Sequence, residues 1–199
     1  GTNYGSSGQV LTSQGSGSAP QWATPSAGAW TKIASGSVTS GTARTVTTNG
    51  ITSTYEHYKL IFHCYNDNGH QFGVDVSTDG GSSWVNDSGS NYSGNYFGFY
   101  NGSNYNGGSN SLSWAQLKPG TNSDNYDGYI TFSAAHRTNM HHSFQATFSA
   151  WNDGNTRHGI YNSSPVYKAT TAFNGIRFLS DASGDGWNFL SYTLLGCEM

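Results

Sequence analysis

Charge is what this chain has least of. Asp, Glu, Lys and Arg make up 10% of its 199 residues, against about 25% in an ordinary soluble domain. The eight Lys and Arg are scattered and the net charge is -3, so there is no basic stripe to neutralise a phosphate backbone, which argues against nucleic acid as a partner. Cysteine is nearly absent. Cys64 and Cys197 are the only two, too few for a disulfide scaffold and too far apart for a CxxC site, and they read as two free, buried thiols. No apolar run approaches the roughly 20 residues that span a bilayer, so no membrane insertion is expected. The opening GTNYGSSGQV has neither the basic nor the apolar region of a signal peptide. It starts with Gly rather than Met, which reads as a fragment of a longer protein.

Apolar residues are also scarce, at 34% against about 45 to 50%, and Gly, Ser, Thr and Asn fill the deficit. Aromatics reach 15%. A disordered chain is usually charged and poor in aromatics, so these large packing units argue for a folded core.

Residues 1–28 hold few apolar groups (Val10, Leu11, Trp22) among Gly, Ser, Thr and Pro. Alone they cannot bury a core. They read either as a linker or as an extended segment whose apolar residues are buried by other copies of the chain. From residue 29 to 199 the texture changes to segments such as TKIASGSVTS, YEHYKLIFHCYN, QFGVDVST, SLSWAQLK, YDGYITFSAA, SFQATFSAW, FNGIRFLS and FLSYTLLGCEM. Each is rich in β-branched or aromatic residues and bounded by turn formers, the signature of strands. In YKLIFHCYN, Leu60, Phe62 and Cys64 alternate with Ile61, His63 and Tyr65, which predicts a central strand covered on both sides. Eight to ten strands with frequent turns predict an all-β fold, an antiparallel β-sandwich of jelly-roll type.

Several segments invite a chemical reading. Ser77 to Trp84, STDGGSSW, resembles the Asp-box of sialidase-type propellers, a structural turn motif; it occurs once, without the repeat that builds blades. The plainer reading is a β-hairpin whose glycines supply positive φ. Asp181 and Asp185 bracket a Gly turn like the opening of a Ca²⁺ loop, but the twelfth position is Tyr192 rather than an acid. Glycoside hydrolysis needs two carboxyls across a cleft, and the candidates (Asp124 with Asp127, Asp67 with Asp75) lie in or beside turn-rich segments where Asp serves the backbone. His136, Arg137, His141 and His142 gather in AHRTNMHHS. No HxH or HxxxH spacing occurs, and adjacent histidines on a strand face opposite ways, so no metal site or cofactor is assigned.

Residues 88–111, SGSNYSGNYFGFYNGSNYNGGSNS, carry no charge at all. Tyr and Phe offer broad contact area with few rotatable bonds, while Gly, Ser and Asn adapt the backbone and form hydrogen bonds, as in antibody loops. The stretch reads as a recognition surface, as a plain hairpin, or as a low-complexity tract. On the first reading Tyr92, Tyr96, Phe97, Phe99, Tyr100 and Tyr105 are stacking surfaces and Asn91, Asn95, Asn101 and Asn104 hydrogen-bonding groups. Trp151, Asn152 and Asp153 form a second candidate set.

Two places resemble a known family. GQVLTSQGSGSAPQWAT resembles the segment preceding the C-terminal domain of many bacteriophage tail-fibre proteins. Phe173-Asn-Gly-Ile-Arg-Phe-Leu and the final Tyr192-Thr-Leu-Leu-Gly196 resemble the closing strands of those domains, with Leu195 where Tyr is common. YEHYKLIF and STDGGSSW match the same family's second strand and hairpin. The resemblance implies a homotrimer joined through a stem at residues 1–28, with tips at residues 29–199 that attach the virion to a host cell-surface receptor, a glycan before a protein, and do not cleave it. The rival readings are a secreted carbohydrate-binding module, a tailspike-like glycosidase, and a purely structural fibre tip or decoration protein.

Overall fold

The computed structural model describes residues 4–24, 30–66, 72–88, 90–100, 103–112, 114–118, 124–152, 157–180 and 188–197. Strands account for 62% of these residues, with no α-helix and one 3-10 turn at Val85–Ser88 among them. No helix among them is long and apolar enough to cross a membrane. There are fifteen strands among the described residues in place of the eight to ten expected; beyond the eight segments read from the sequence stand the short pieces Val10–Thr12, Gln21–Ala23, Ala43–Thr47 and Val166–Tyr167 and the longer Tyr92–Tyr100, Ser103–Leu112 and Arg157–Ser163.

The first two strands, β1 (Val10–Thr12) and β2 (Gln21–Ala23), pair with each other in a two-stranded sheet. The rest are β3 (Thr31–Val38), β4 (Ala43–Thr47), β5 (His57–Asn66), β6 (Phe72–Ser77), β7 (Tyr92–Tyr100), β8 (Ser103–Leu112), β9 (Ala115–Lys118), β10 (Asp124–Ser133), β11 (His142–Asn152), β12 (Arg157–Ser163), β13 (Val166–Tyr167), β14 (Gly175–Ser180) and β15 (Phe189–Cys197). All their pairings are antiparallel. A nine-stranded sheet runs β8, β7, then β12 and β13 end to end, then β11, β10, β5, β15 and β3. A four-stranded sheet runs β4, β14, β6, β9.

The interruption between β12 and β13 falls at Pro165, which has no N–H to give the ladder. Ser164 N donates to Asn95 O at 2.9 Å and Phe144 N to Pro165 O at 2.8 Å, carrying the pairing across the gap. Beneath these additions lies a nested pattern: β3 pairs with β15, β4 with β14, β5 with β10 and β6 with β9. One long hairpin rolled over on itself gives that order. The β7–β8 hairpin enters between β6 and β9, strands β11 to β13 enter between β10 and β14, and both insertions extend the large sheet beyond β10.

The core fills the space between the two sheets, as the period-2 alternation of each strand requires. Phe62 and Tyr126 from the large sheet meet Phe72 from the small one, with ring centroids 5.3 and 5.9 Å apart; Phe178 lies 5.4 Å from Phe72. Asp75 is a carboxylate buried in this core, facing Arg177 and Tyr92. Cys64 is buried and Cys197 half-buried, and neither forms a disulfide.

Two expectations change. Leu60, Phe62 and Cys64 do face the core, but Ile61 is 42% exposed and His63 is open as well. Strand β5 is therefore covered on one side only, because the small sheet packs against a single face. The Asp79 segment is a tight turn and not a hairpin: Gly80 and Gly81 take φ of 72° and 85°, yet β6 pairs with β14 and β9 rather than with the strand that follows the turn. Asp79 holds the turn by accepting from Ser83 N and Ser83 Oγ at 2.9 and 2.6 Å. These bonds, those from Ser83 first, lower its carboxyl to about 2.

Candidate functional site

The face of the large sheet that turns away from the core is the candidate site. On β7, alternation turns Tyr92 and Gly98 inward and Ser93, Asn95, Phe97 and Phe99 outward. Register then places Phe99 opposite Ile160, Ile160 opposite Ser149, Ser149 opposite Asp127, Asp127 opposite His63 and His63 opposite Ser191. One row of outward side chains thus crosses six strands. Its β7 and β12 end is apolar and is flanked by further apolar side chains: Phe99 and Ile160 are 56% and 61% exposed, Phe97 beside them on β7 is 59% exposed, and Trp151, on the same side of β11 as Ser149, is 48% exposed. Isolated exposed apolar residues are ordinary, whereas four on adjoining strands form a ledge of the kind that marks an interaction surface.

The Gly-rich composition of this region has a packing cause. A Cβ on Gly98 would stand 2.6 Å from the Tyr161 ring, and one on Gly107 2.2 Å from Tyr96 Oη. The glycines let aromatic rings lie flat on the inner side of the sheet, where a side chain would lift them off. The outer phenylalanines keep their exposure because their neighbours in register, Asn104 and Asn106 on β8 and Asn162 on β12, are short and exposed.

Further along the row the face dips into a hollow of about 520 Å³ over β10, β5 and β15. Its outward lining is Ile61, His63, Asp127, Tyr129, Ser191 and Thr193. His63 Nδ1 is bonded to Asp127 Oδ1, Phe189 lies beside the imidazole with centroids 5.6 Å apart, and Lys59 Nζ sits 4.3 Å above the Tyr129 ring. A second, more polar hollow of about 480 Å³ lies near Pro165, lined in part by Ser93, Asn95 and Ser164.

The expected site residues scatter accordingly. Phe97, Phe99, Asn95, Asn104 and Trp151 come together on the outer face. Tyr92 does not: it is fully buried, its hydroxyl bound to Asp75, because its place on β7 points it between the sheets. Tyr96 is half-buried over Gly107. Asn91 is half-buried and donates from Nδ2 to Val85 O at 3.2 Å, tying the 3-10 turn to the strand. Tyr100 and Tyr105 belong to β7 and β8 and Asn152 to β11, but their side chains lie outside the described residues, as do Asn101 and Asp153 altogether. Ile160, His63 and Tyr129 were missed, and Asp127 enters the sequence reading only as half of a hydrolytic carboxylate pair. The alternation of YEHYKLIFHCYN and YDGYITFSAA carried the signal of His63, Asp127 and Tyr129 once one face was known to be open.

The other candidates are structural or undescribed. His142 is buried with Nε2 3.2 Å from Thr171 O; His136 and Arg137 reach Glu56 at 3.5 and 3.1 Å. No group of three potential metal ligands occurs among the described residues. Asp181 and Asp185 lie outside them. Compared with described protein families, with curated proteins and with solved structures, the chain gives no match.

Proposed function

We propose that this chain is the tip of a bacteriophage tail fibre, a homotrimeric jelly roll that binds a glycan on the host surface and does not cleave it. The observation that carries the reading is the open face of the large sheet, where Phe97, Phe99, Ile160 and Trp151 stand exposed among asparagine and serine. Aromatic and aliphatic faces set among neutral hydrogen-bonding groups suit the mixed apolar and hydroxylated surface of a sugar.

The nested strand pairing supports the jelly roll, since two Greek keys folded from one long hairpin have that order. The β1–β2 sheet supports the trimer. Two strands alone are marginal in water, and this pair leaves Val10, Leu11 and Trp22 exposed, with Tyr4 beside it; three copies would bury one another's apolar groups about a common axis. The resemblance of GQVLTSQGSGSAPQWAT to the segment before tail-fibre tips supports a place at the distal end of the virion's fibre.

The test is staining of a panel of bacterial strains with the labelled full chain and with a Phe97→Ala, Phe99→Ala variant, the solution mass of each being measured. A trimer that stains some strains, and a variant trimer that stains none, are the expected results. A variant that falls to monomer makes the outer face an oligomer interface instead. A wild-type monomer favours a carbohydrate-binding module.

A further inference from the structure

We infer that the hollow over β10, β5 and β15 is a binding site for one neutral pyranose unit, with Asp127 as the acceptor of its hydroxyls. The inference rests on the reading of the outer face as a receptor-binding surface, and deepens it by naming a subsite and the class of sugar that fills it.

Three features converge. The first is shape: an open depression of about 520 Å³ in the outer face of the sheet, within the usual range of roughly 300 to 1,000 Å³ for small-molecule sites. The second is chemistry. Asp127 pairs through Oδ1 with His63 Nδ1, which orients the carboxylate. Its side chain is 61% exposed, so lone pairs remain for adjacent hydroxyls of a ligand, and a charged acceptor makes stronger bonds than a neutral one. Ser191 and Thr193 add hydroxyls from β15, while Ile61 and Tyr129 supply apolar walls for the C–H face of a ring. Lys59, above Tyr129, fixes that ring.

The third feature is continuity. The hollow shares its row of the sheet with Phe99 and Ile160, and Ser149 bridges them by donating to Asp127 O at 3.4 Å. With strands about 4.8 Å apart, Phe99 on β7 and Asp127 on β10, three strand spacings apart, stand about 14 Å from each other. A short oligosaccharide laid across the strands would rest on the ledge and place one unit in the hollow. The carboxylate sets the charge of the group laid against it: the acid group of a uronic or sialic acid would meet Asp127 as a like charge, the Lys59 ammonium lying over Tyr129 instead, so such sugars are disfavoured beside Asp127.

The experiment is ligand-observed saturation-transfer NMR on the full chain, with the methyl glycosides of glucose, galactose, mannose and N-acetylglucosamine and with methyl glucuronide as the anionic counterpart. Transfer to at least one neutral glycoside is expected, with an affinity at least tenfold weaker in Asp127→Ala and in Ser191→Ala, Thr193→Ala while the melting curves stay put. Transfer to none of them, transfer undiminished in Asp127→Ala, or equal transfer to the glucuronide overturns the assignment. Cell staining separates this from the wider reading. Strains stained equally by wild type and Asp127→Ala leave the receptor-binding tip standing and remove the hollow; a chain that stains no strain but takes up a neutral glycoside through Asp127 keeps the hollow and loses the tip.

Discussion

The hydroxyl of Tyr92 donates a 2.9 Å hydrogen bond to Oδ1 of Asp75, and both side chains are fully buried. The same carboxylate oxygen accepts from Val76 N and Asn86 N at 2.9 and 3.1 Å, while Oδ2 accepts from Arg177 Nε and Nη2 at 3.2 and 3.0 Å. Arg177 is in turn capped by the Trp84 ring, 4.5 Å away. One buried carboxylate therefore ties β6, β7, β14 and the 3-10 turn together. Burial pushes the Asp75 carboxyl above its ordinary value, against the pull of Tyr92 and Arg177 in the other direction.

Asp75→Ala leaves Arg177 without this carboxylate and takes the acceptor from Tyr92 Oη and Asn86 N, while Val76 N keeps Tyr92 Oη at 3.1 Å, so it costs about 3 to 5 kcal/mol. Tyr92→Phe removes the bond to a charged acceptor and the bond that Tyr92 Oη accepts from Val76 N at 3.1 Å; the first alone is about 1.5 to 3 kcal/mol. In urea denaturation the double variant loses less than the sum, since Tyr92 has already lost its acceptor in Asp75→Ala. Strict additivity would show that the two do not act as a unit.

His142 predicts an acid limb of stability. Burial, with smaller contributions from His141 and His136, holds its imidazole below the ordinary 6.5, against the Thr171 carbonyl. Below that value the unfolded chain takes up a proton that the folded one refuses, so the unfolded state binds more protons and stability falls as pH drops from about 6.5. Urea midpoints measured from pH 7.5 down to pH 5 are expected to fall, and to fall less steeply in His142→Phe. An identical slope in the variant would assign the acid limb to other groups.

Gly128 sits where β10 passes beneath Phe148. A Cβ there would lie 2.3 Å from Phe148 Cβ and 2.3 Å from Thr147 O, too close for any rotamer to relieve. Gly128→Ala is expected to cost about 1 to 3 kcal/mol or more, read as a lower melting temperature. Gly17→Ala, with nothing within 4 Å, stays within about 0.5 kcal/mol of wild type.

Neighbouring residues on β7 should behave oppositely. Gly98→Ala drives a methyl into Tyr161 and destabilises by about 1 to 3 kcal/mol. Phe97→Thr, one residue earlier on the outer face, introduces a β-branched side chain that suits a strand and changes stability by less than about 1 kcal/mol. A large loss from Phe97→Thr in a monomeric sample would mean that the outer face packs on something within the chain.

The strands were legible wherever large residues alternate. YKLIF, YITF, FQATFSAW and GIRFLS announce β5, β10, β11 and β14 because each buries an aromatic or aliphatic side chain at every second position. Strand β12 was not, since its inner face is only Gly159, Tyr161 and Ser163; nor was β4, whose single buried residue is Val46. The site was legible in part. Adjacent residues on one strand face opposite ways, so Tyr92 could not share the outer face with Phe97 and Phe99, and reading the run as a loop concealed that constraint. The His63–Asp127 pair depends on the β5–β10 register across 64 residues, which no local pattern encodes.

The ledge and the hollow stand on different parts of the topology. Phe97, Phe99, Ile160 and Trp151 belong to β7, β12 and β11, all supplied by the two insertions, whereas His63, Asp127 and Ser191 belong to strands of the nested hairpin. Lengthening, shortening or exchanging the β7–β8 segment would leave all four nested pairings in place. On the proposed reading, partner choice is modular: the inserted strands can be rewritten for a new surface chemistry while the rolled hairpin, and the sugar hollow it carries, is inherited intact.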